Sequence, residues 1–118
     1  MVEFKYILPI PPSVNALYAG KSRRYKSKRY KAWLKECAGV IKRPPSLRGK
    51  VRITYDFFAK NMTFGDTSNY TKAALDYLVA AGVIADDNHK IVVEEIIRFA
   101  GYDKKNPRVE IGVFPVDK

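Results

Sequence analysis

Sulfur and imidazole are almost absent from this chain, which has one cysteine, Cys37, and one histidine, His89. A single thiol excludes an internal disulfide. One thiol beside one imidazole also falls short of the four-ligand cluster that structural zinc requires. Long apolar runs are missing as well. No stretch sustains the roughly 18 apolar residues of a membrane span, and the opening MVEFKYILPIPPS has neither an extended apolar segment nor a small-residue cleavage site. The expectation is a soluble, intracellular protein with no membrane partner. Acidic residues are scarce in one half only. Through residue 50 there are 13 Lys and Arg against 2 acids, Glu3 and Glu36, a net of +11; beyond it 9 cations meet 10 acids, a net of −1. The formal net charge of +10 therefore belongs almost wholly to the first half.

What is present is enough for one core. At 118 residues, 47% hydrophobic and 13% aromatic, the chain predicts a single domain over 1–118. Its basicity is densest in KSRRYKSKRYK, residues 21–31, where Lys21, Arg23, Arg24, Lys26, Lys28, Arg29 and Lys31 alternate with Tyr25, Tyr30 and two serines. Lysine and arginine suit phosphate contacts, and tyrosine suits stacking or hydrogen bonding to a nucleic acid backbone. A solvated basic loop or a contact with acidic lipid would have similar composition. The cluster carries no amphipathic apolar face, which favours nucleic acid.

Periodicity places these features on elements. VEFKYIL (2–8) alternates as a strand and is stopped by Pro9, Pro11 and Pro12; PPSVNALY follows as an ordered loop. From Ser27, a suitable N-cap, SKRYKAWLKECAGVIK spaces Tyr30, Trp33, Leu34, Cys37, Val40 and Ile41 by three and four, predicting one buried helical face that ends before Pro44 and Pro45. KVRITYDFFAK (50–60) reads as a strand and NMTFGDTS as a loop. NYTKAALDYLVAAG reads as a second helix closed by Gly82. IVVEEIIRFAGY and PRVEIGVFPV supply two more strands. The order β-α-β-α-β-β predicts an α/β (α+β) domain, a mixed sheet carrying two main helices.

The acids of the second half then fall into a pattern. Asp66 precedes the second helix, Lys72 and Asp76 share a face of it four residues apart, and Asp86 and Asp87 follow it. A helix with a tight return can bring Asp66 and Asp87 to one end of the sheet. Hard carboxylate oxygens gathered there would suit Mg²⁺, completed by waters and substrate phosphate. Each acid also has a plainer role open to it. Asp66 suits capping a turn, Asp76 suits pairing with Lys72, and Asp86-Asp87-Asn88 suits a polar turn. An EF-hand is disfavoured, because DDNHKIVVE lacks the glycine and alternating oxygen ligands of a calcium loop.

Three motifs in order carry a resemblance: PIPPSVNALY (Pro9–Tyr18) for P-x-P-P-S-x-N-x-x-Y, DTSNYTK (Asp66–Lys72) leading to DYL at Asp76 for D-x-D-N-x-x-K and D-x-L, and GVIADD (Gly82–Asp87) for G-x-x-x-D-D. Over nearly its whole length the chain resembles the RusA-type Holliday junction resolvases, small endodeoxyribonucleases of phages and prophages. The resemblance implies a RusA-like α/β fold, a homodimer acting on four-way DNA junctions, and paired symmetric nicks made with Mg²⁺ or Mn²⁺. It implies metal carboxylates at Asp66, position 68 and Asp87, a catalytic Lys72, and DNA contacts from the basic segment and from Asn15. A cytoplasmic location in a bacterial cell, with phage or prophage origin, is also implied.

One position departs from the pattern. Where the family has aspartate this chain has Ser68, which leaves one carboxylate fewer for a divalent ion. A hydroxyl, a bridging water, Asp86 or Asp76 are the candidates to replace it, and Ser68 also suits an N-cap for the second helix. Two functions from different classes follow: a metal-dependent junction endonuclease, or a structure-selective DNA-binding protein with weak or absent cleavage. RNA or non-specific single-strand binding would fit the basic segment but leaves the acids unexplained.

Overall fold

Strict alternation in VRITYDFFA determines the centre of the molecule: Val51, Ile53, Tyr55, Phe57 and Ala59 are fully buried, and the residues between them are half-buried. The structure is a computed structural model and describes residues 2–62 and 64–116. Its elements run β1 (Phe4–Leu8), β2 (Tyr18–Ala19), β3 (Tyr25–Lys26), α1 (Lys28–Cys37), β4 (Val51–Ala59), α2 (Lys72–Ala80), β5 (Val92–Tyr102) and β6 (Arg108–Pro115). Short 3-10 turns lie at Val14–Ala16 and Thr67–Tyr70.

The main sheet has the order β1-β6-β4-β5. β6 pairs antiparallel with both β1 and β4, whereas β5 pairs parallel with β4. A parallel neighbour requires a crossover, which here is the segment carrying the Thr67–Tyr70 turn and α2. β5 and β6 consequently flank β4 although they are consecutive in sequence. The helices contribute Tyr30, Trp33, Cys37, Ala73, Ala74 and Leu78 to the core beneath the sheet. This is the expected mixed sheet with two helices, with β2 and β3 added as a separate hairpin that sequence periodicity does not predict. Two-residue strands are too short to show a period.

Both helices are shorter than their sequence patterns. Ser27 caps α1 as expected: its Oγ accepts from the Tyr30 N–H at 3.1 Å and donates to the Ala16 carbonyl at 2.6 Å. The helix stops at Cys37, because Ala38 leaves the helical region at ψ 128° and Gly39 follows at φ +85°, so the turn ends well before the prolines. Val40 is 39% exposed and lies outside the helix, which corrects its expected place on the buried face. Ser68 does not cap α2. Position 71 holds that place without a side-chain hydrogen bond, and Ser68 lies inside the preceding 3-10 turn, whose cap is Asp66. At the other end Gly82, at φ +84°, closes α2 as expected. The Val83 N–H donates to the Leu78 carbonyl and the Gly82 N–H to that of Val79, the paired bonds of a Schellman ending.

Candidate active site

The return after α2 assembles the site. Ser46 N–H donates to the Gly82 carbonyl, Leu47 N–H donates to that of Val83, and Leu47 forms an isolated parallel bridge with Ile84. The chain leaving α2 is thereby held against the stretch entering β4. Asp86 and Asp87 emerge next to the helix they have just left. Asp86 closes the local turn, accepting from the Asp87 N–H at 2.7 Å and from Asn88 Nδ2 at 2.9 Å. Asp87 turns its carboxylate to Lys72.

Lys72 is the hub. Its Nζ lies 3.1 Å from Asp76 Oδ1, one helical turn along, and 3.7 Å from Asp87 Oδ2, fifteen residues away in sequence. The hydrogen bond to Asp76, aided by the charges of Asp76 and Asp87 and opposed by partial burial, raises the Lys72 pKa. The ammonium therefore stays charged throughout the neutral range. Its pairing stabilises the fold below the ordinary lysine pKa and is lost as pH rises through the raised value. With the lysine side chain 49% exposed, solvent screens that contribution. The pairing fixes position more than it adds stability.

Asp66 is held differently. Its Oδ1 accepts from the Ser68 N–H at 3.2 Å, and its carbonyl accepts from the Asn69 N–H at 3.0 Å. The structure thus joins Lys72, Asp76 and Asp87 directly, while Asp66 and Ser68 bond each other within their own turn and Asp86 serves the next one. Among the described residues, no three or more His, Cys, Asp or Glu side chains form a group that could hold a metal ion. Asp66 is exposed and Asp87 partly so, and each carries the hard carboxylate oxygens of the type that a hydrated divalent cation takes.

The cationic segment borders this region. The Val14–Ala16 turn, which carries the exposed Asn15, packs against the Thr67–Tyr70 turn. The Asp76 charge also contributes, after burial, to raising the pKa of Tyr30 on α1. Lys21, Arg23, Arg24, Lys26, Lys28, Arg29 and Lys31 are all exposed, and among the described residues none is in an ion pair. Arg24 sits 5.6 Å over the Tyr18 ring. Tyr30 is only 3% exposed and meets Tyr18 edge-on at 6.0 Å, so it belongs to the core, whereas Tyr25 is 58% exposed.

Sequence reasoning passed over Lys60, Phe64 and Tyr70, which line an open cleft with Arg29. The available signal was the aromatic residues on either side of Asp66, two positions before it and four after. Among the described residues no helix is long and apolar enough to cross a membrane. No curated protein matches the chain. The family of endodeoxyribonuclease RusA does match it, over residues 9–114. That match takes in the proline-rich turn, the basic segment, the Asp66–Lys72 stretch and the Asp86-Asp87 return in a single span, and the chain belongs to the RusA endodeoxyribonuclease family.

Proposed function

We propose that this chain is a structure-selective endonuclease that binds four-way DNA junctions and resolves them by paired symmetric nicks, using Mg²⁺, with Mn²⁺ able to substitute. The observation that carries this reading is the contact of Lys72 with Asp87, which sets a permanent cation beside a carboxylate at the border of an exposed basic surface. A phosphodiester drawn in by Arg23, Arg24, Lys28 and Arg29 meets both signs of charge at one place. Because its pKa is raised, Lys72 is a poor proton donor at neutral pH and acts as an electrostatic clamp on the phosphate. Asp76 keeps that ammonium in place from the next helical turn. Asp66 and Asp87 are the residues that would hold the divalent ion, with Ser68, Asp86 and Asp76 as the nearby oxygens. Such an ion supplies an activated water and stabilises charge on the phosphodiester. A two-fold junction calls for a two-fold partner, so the working unit is a homodimer presenting one acidic centre to each of two opposed strands.

The test is an end-labelled four-way junction beside a linear duplex of the same sequence, incubated with and without Mg²⁺, using this chain and Asp87→Asn. Symmetric nicks on the junction alone, dependent on the metal, are expected. In Asp87→Asn cleavage should fall by more than about 100-fold, beyond the cost of losing an outer-shell partner. Junction binding should persist, since removing a negative charge near phosphate does not weaken attraction. A folded Asp87→Asn protein that has lost binding together with cutting would remove Asp87 from the metal site. The lack of a three-acid group among the described residues favours one other outcome, a junction-binding protein with little cleavage. Tight binding without nicks in either Mg²⁺ or Mn²⁺ would establish it.

A further inference from the structure

The stretch of chain that carries Asp66 and Lys72 also lines a cleft of about 440 Å³ with no assigned role. Phe64 and Tyr70 line it, Ile10 and Pro107 extend its apolar wall, and Arg29 and Lys60 supply two cations. The two rings stack on each other with centroids 4.4 Å apart and planes 22° from parallel. Behind them Phe57, fully buried on β4, touches both, at 5.7 Å from Phe64 and 6.4 Å from Tyr70. The pair is therefore anchored to the core and loses little freedom when something docks on it. The volume lies in the range of small-ligand clefts. Flat aromatic surface combined with cationic side chains matches one chemical object, a nucleotide with its base exposed and its phosphate charged.

We propose that this cleft receives a single unstacked nucleotide of the DNA substrate, with the base against Phe64 and Tyr70 and a flanking phosphate against Arg29 and Lys60. The connection to the active site is covalent and short. Phe64 lies two residues before Asp66 and Tyr70 two before Lys72, so both rings and both chemical groups belong to one stretch of chain. Taking a base out of its stack costs least where stacking is already interrupted, as at the branch point of a junction. Occupying the cleft fixes how far the scissile phosphate lies from the branch. The position of the nucleotide rests on the junction-nuclease reading above; the stacking itself requires only DNA.

The test replaces nucleotides one at a time with abasic sites in two probes, a four-way junction and a single-stranded 12-mer, and measures binding by this chain and by Tyr70→Leu. One position in each probe should weaken binding by the unaltered chain about 5- to 150-fold, the range for losing one base–aromatic stack. Tyr70→Leu should bind every abasic probe and its parent alike. Equal sensitivity in both proteins, or no sensitive position in either probe, overturns the proposal. Because Tyr70 touches the core, a second measurement needs no variant: 5-iodouracil placed at the sensitive position and irradiated with the unaltered protein. An adduct on Phe64 or Tyr70 is expected, and adducts found only elsewhere overturn the proposal. Failure of the junction reading has a separate signature, equal affinity for junction and linear duplex, and leaves the 12-mer result standing.

Discussion

Ser68 enters the site through its backbone, donating its N–H to Asp66 and accepting from Thr71 Oγ1 at its carbonyl. Its side chain occupies the place where the family pattern carries a carboxylate, two residues after Asp66 and in the segment that delivers Lys72. Ser68→Asp restores a hard, charged oxygen to that place. We expect it to lower the Mg²⁺ concentration for half-maximal junction cleavage by about tenfold, measured as nicking rate against Mg²⁺. An unchanged Mg²⁺ dependence would show that position 68 is not a ligand here. Sequence made Asp66 and Asp87 visible as carboxylates in a basic chain, whereas Lys72 was singled out only by the family motif. It left open whether Asp76 was a ligand or a partner of Lys72, since four residues along a helix serve either use. The structure pairs Asp76 Oδ1 with Lys72 at 3.1 Å, and a ligand role for Asp76 stays part of the proposal above.

Among the elements, the hairpin β2–β3 depends on one backbone position. Gly20 has φ +99°, and a Cβ there would lie 2.1 Å from the Arg23 carbonyl oxygen and 2.9 Å from the Tyr25 ring. An L side chain fits neither the angle nor the space. Gly20→Ala should open the hairpin that presents Arg23 and Arg24 while leaving the main sheet folded. The expected result is weaker junction binding with a salt dependence shallower by about 2 in log K against log salt, measured by titration at several salt concentrations. The other end of the basic segment is tied down by Ser27, whose hydroxyl bridges the α1 N-terminus and the Ala16 carbonyl. Ser27→Ala should cost about 1 kcal/mol of unfolding free energy in urea. That cap and the Gly82 ending were legible in sequence because each uses a residue whose local chemistry is specific. The early end of α1 was not, because Val40 and Ile41 continue the helical spacing past Gly39 and only the backbone angles at Ala38 and Gly39 break it.

At the scale of the molecule, the core reports on itself through its single thiol. Cys37 is fully buried between α1 and the sheet, and burial pushes its pKa up to about 12, with the Glu36 charge adding to the effect. Its carbonyl accepts from the Tyr77 hydroxyl at 2.8 Å, linking α1 to α2, so local opening there would loosen both helices. The native protein should resist a thiol reagent at about pH 8, and labelling should appear in urea along the same transition as the loss of circular dichroism. Labelling well before that transition would show that α1 detaches on its own. Trp33 adds a second long-range tie, its indole N–H donating to the Pro9 carbonyl at 2.9 Å. The proline-rich turn that sequence showed only as an ordered loop is thereby fixed to the helix.

The sequence by itself determined the charge asymmetry, the strands with a strict period of two, the caps at Ser27 and Gly82, and the motifs that mark the family. Each of these is a local property, written in neighbouring residues and set by backbone or solvation chemistry. Tertiary structure alone decided that β5 runs parallel to β4 with β6 on the opposite side, and that Lys72 meets Asp87. It also brought Phe64 and Tyr70 together over Phe57. These outcomes depend on how separate segments pack, and spacing along a chain carries no information about packing until burial of the common core selects one arrangement.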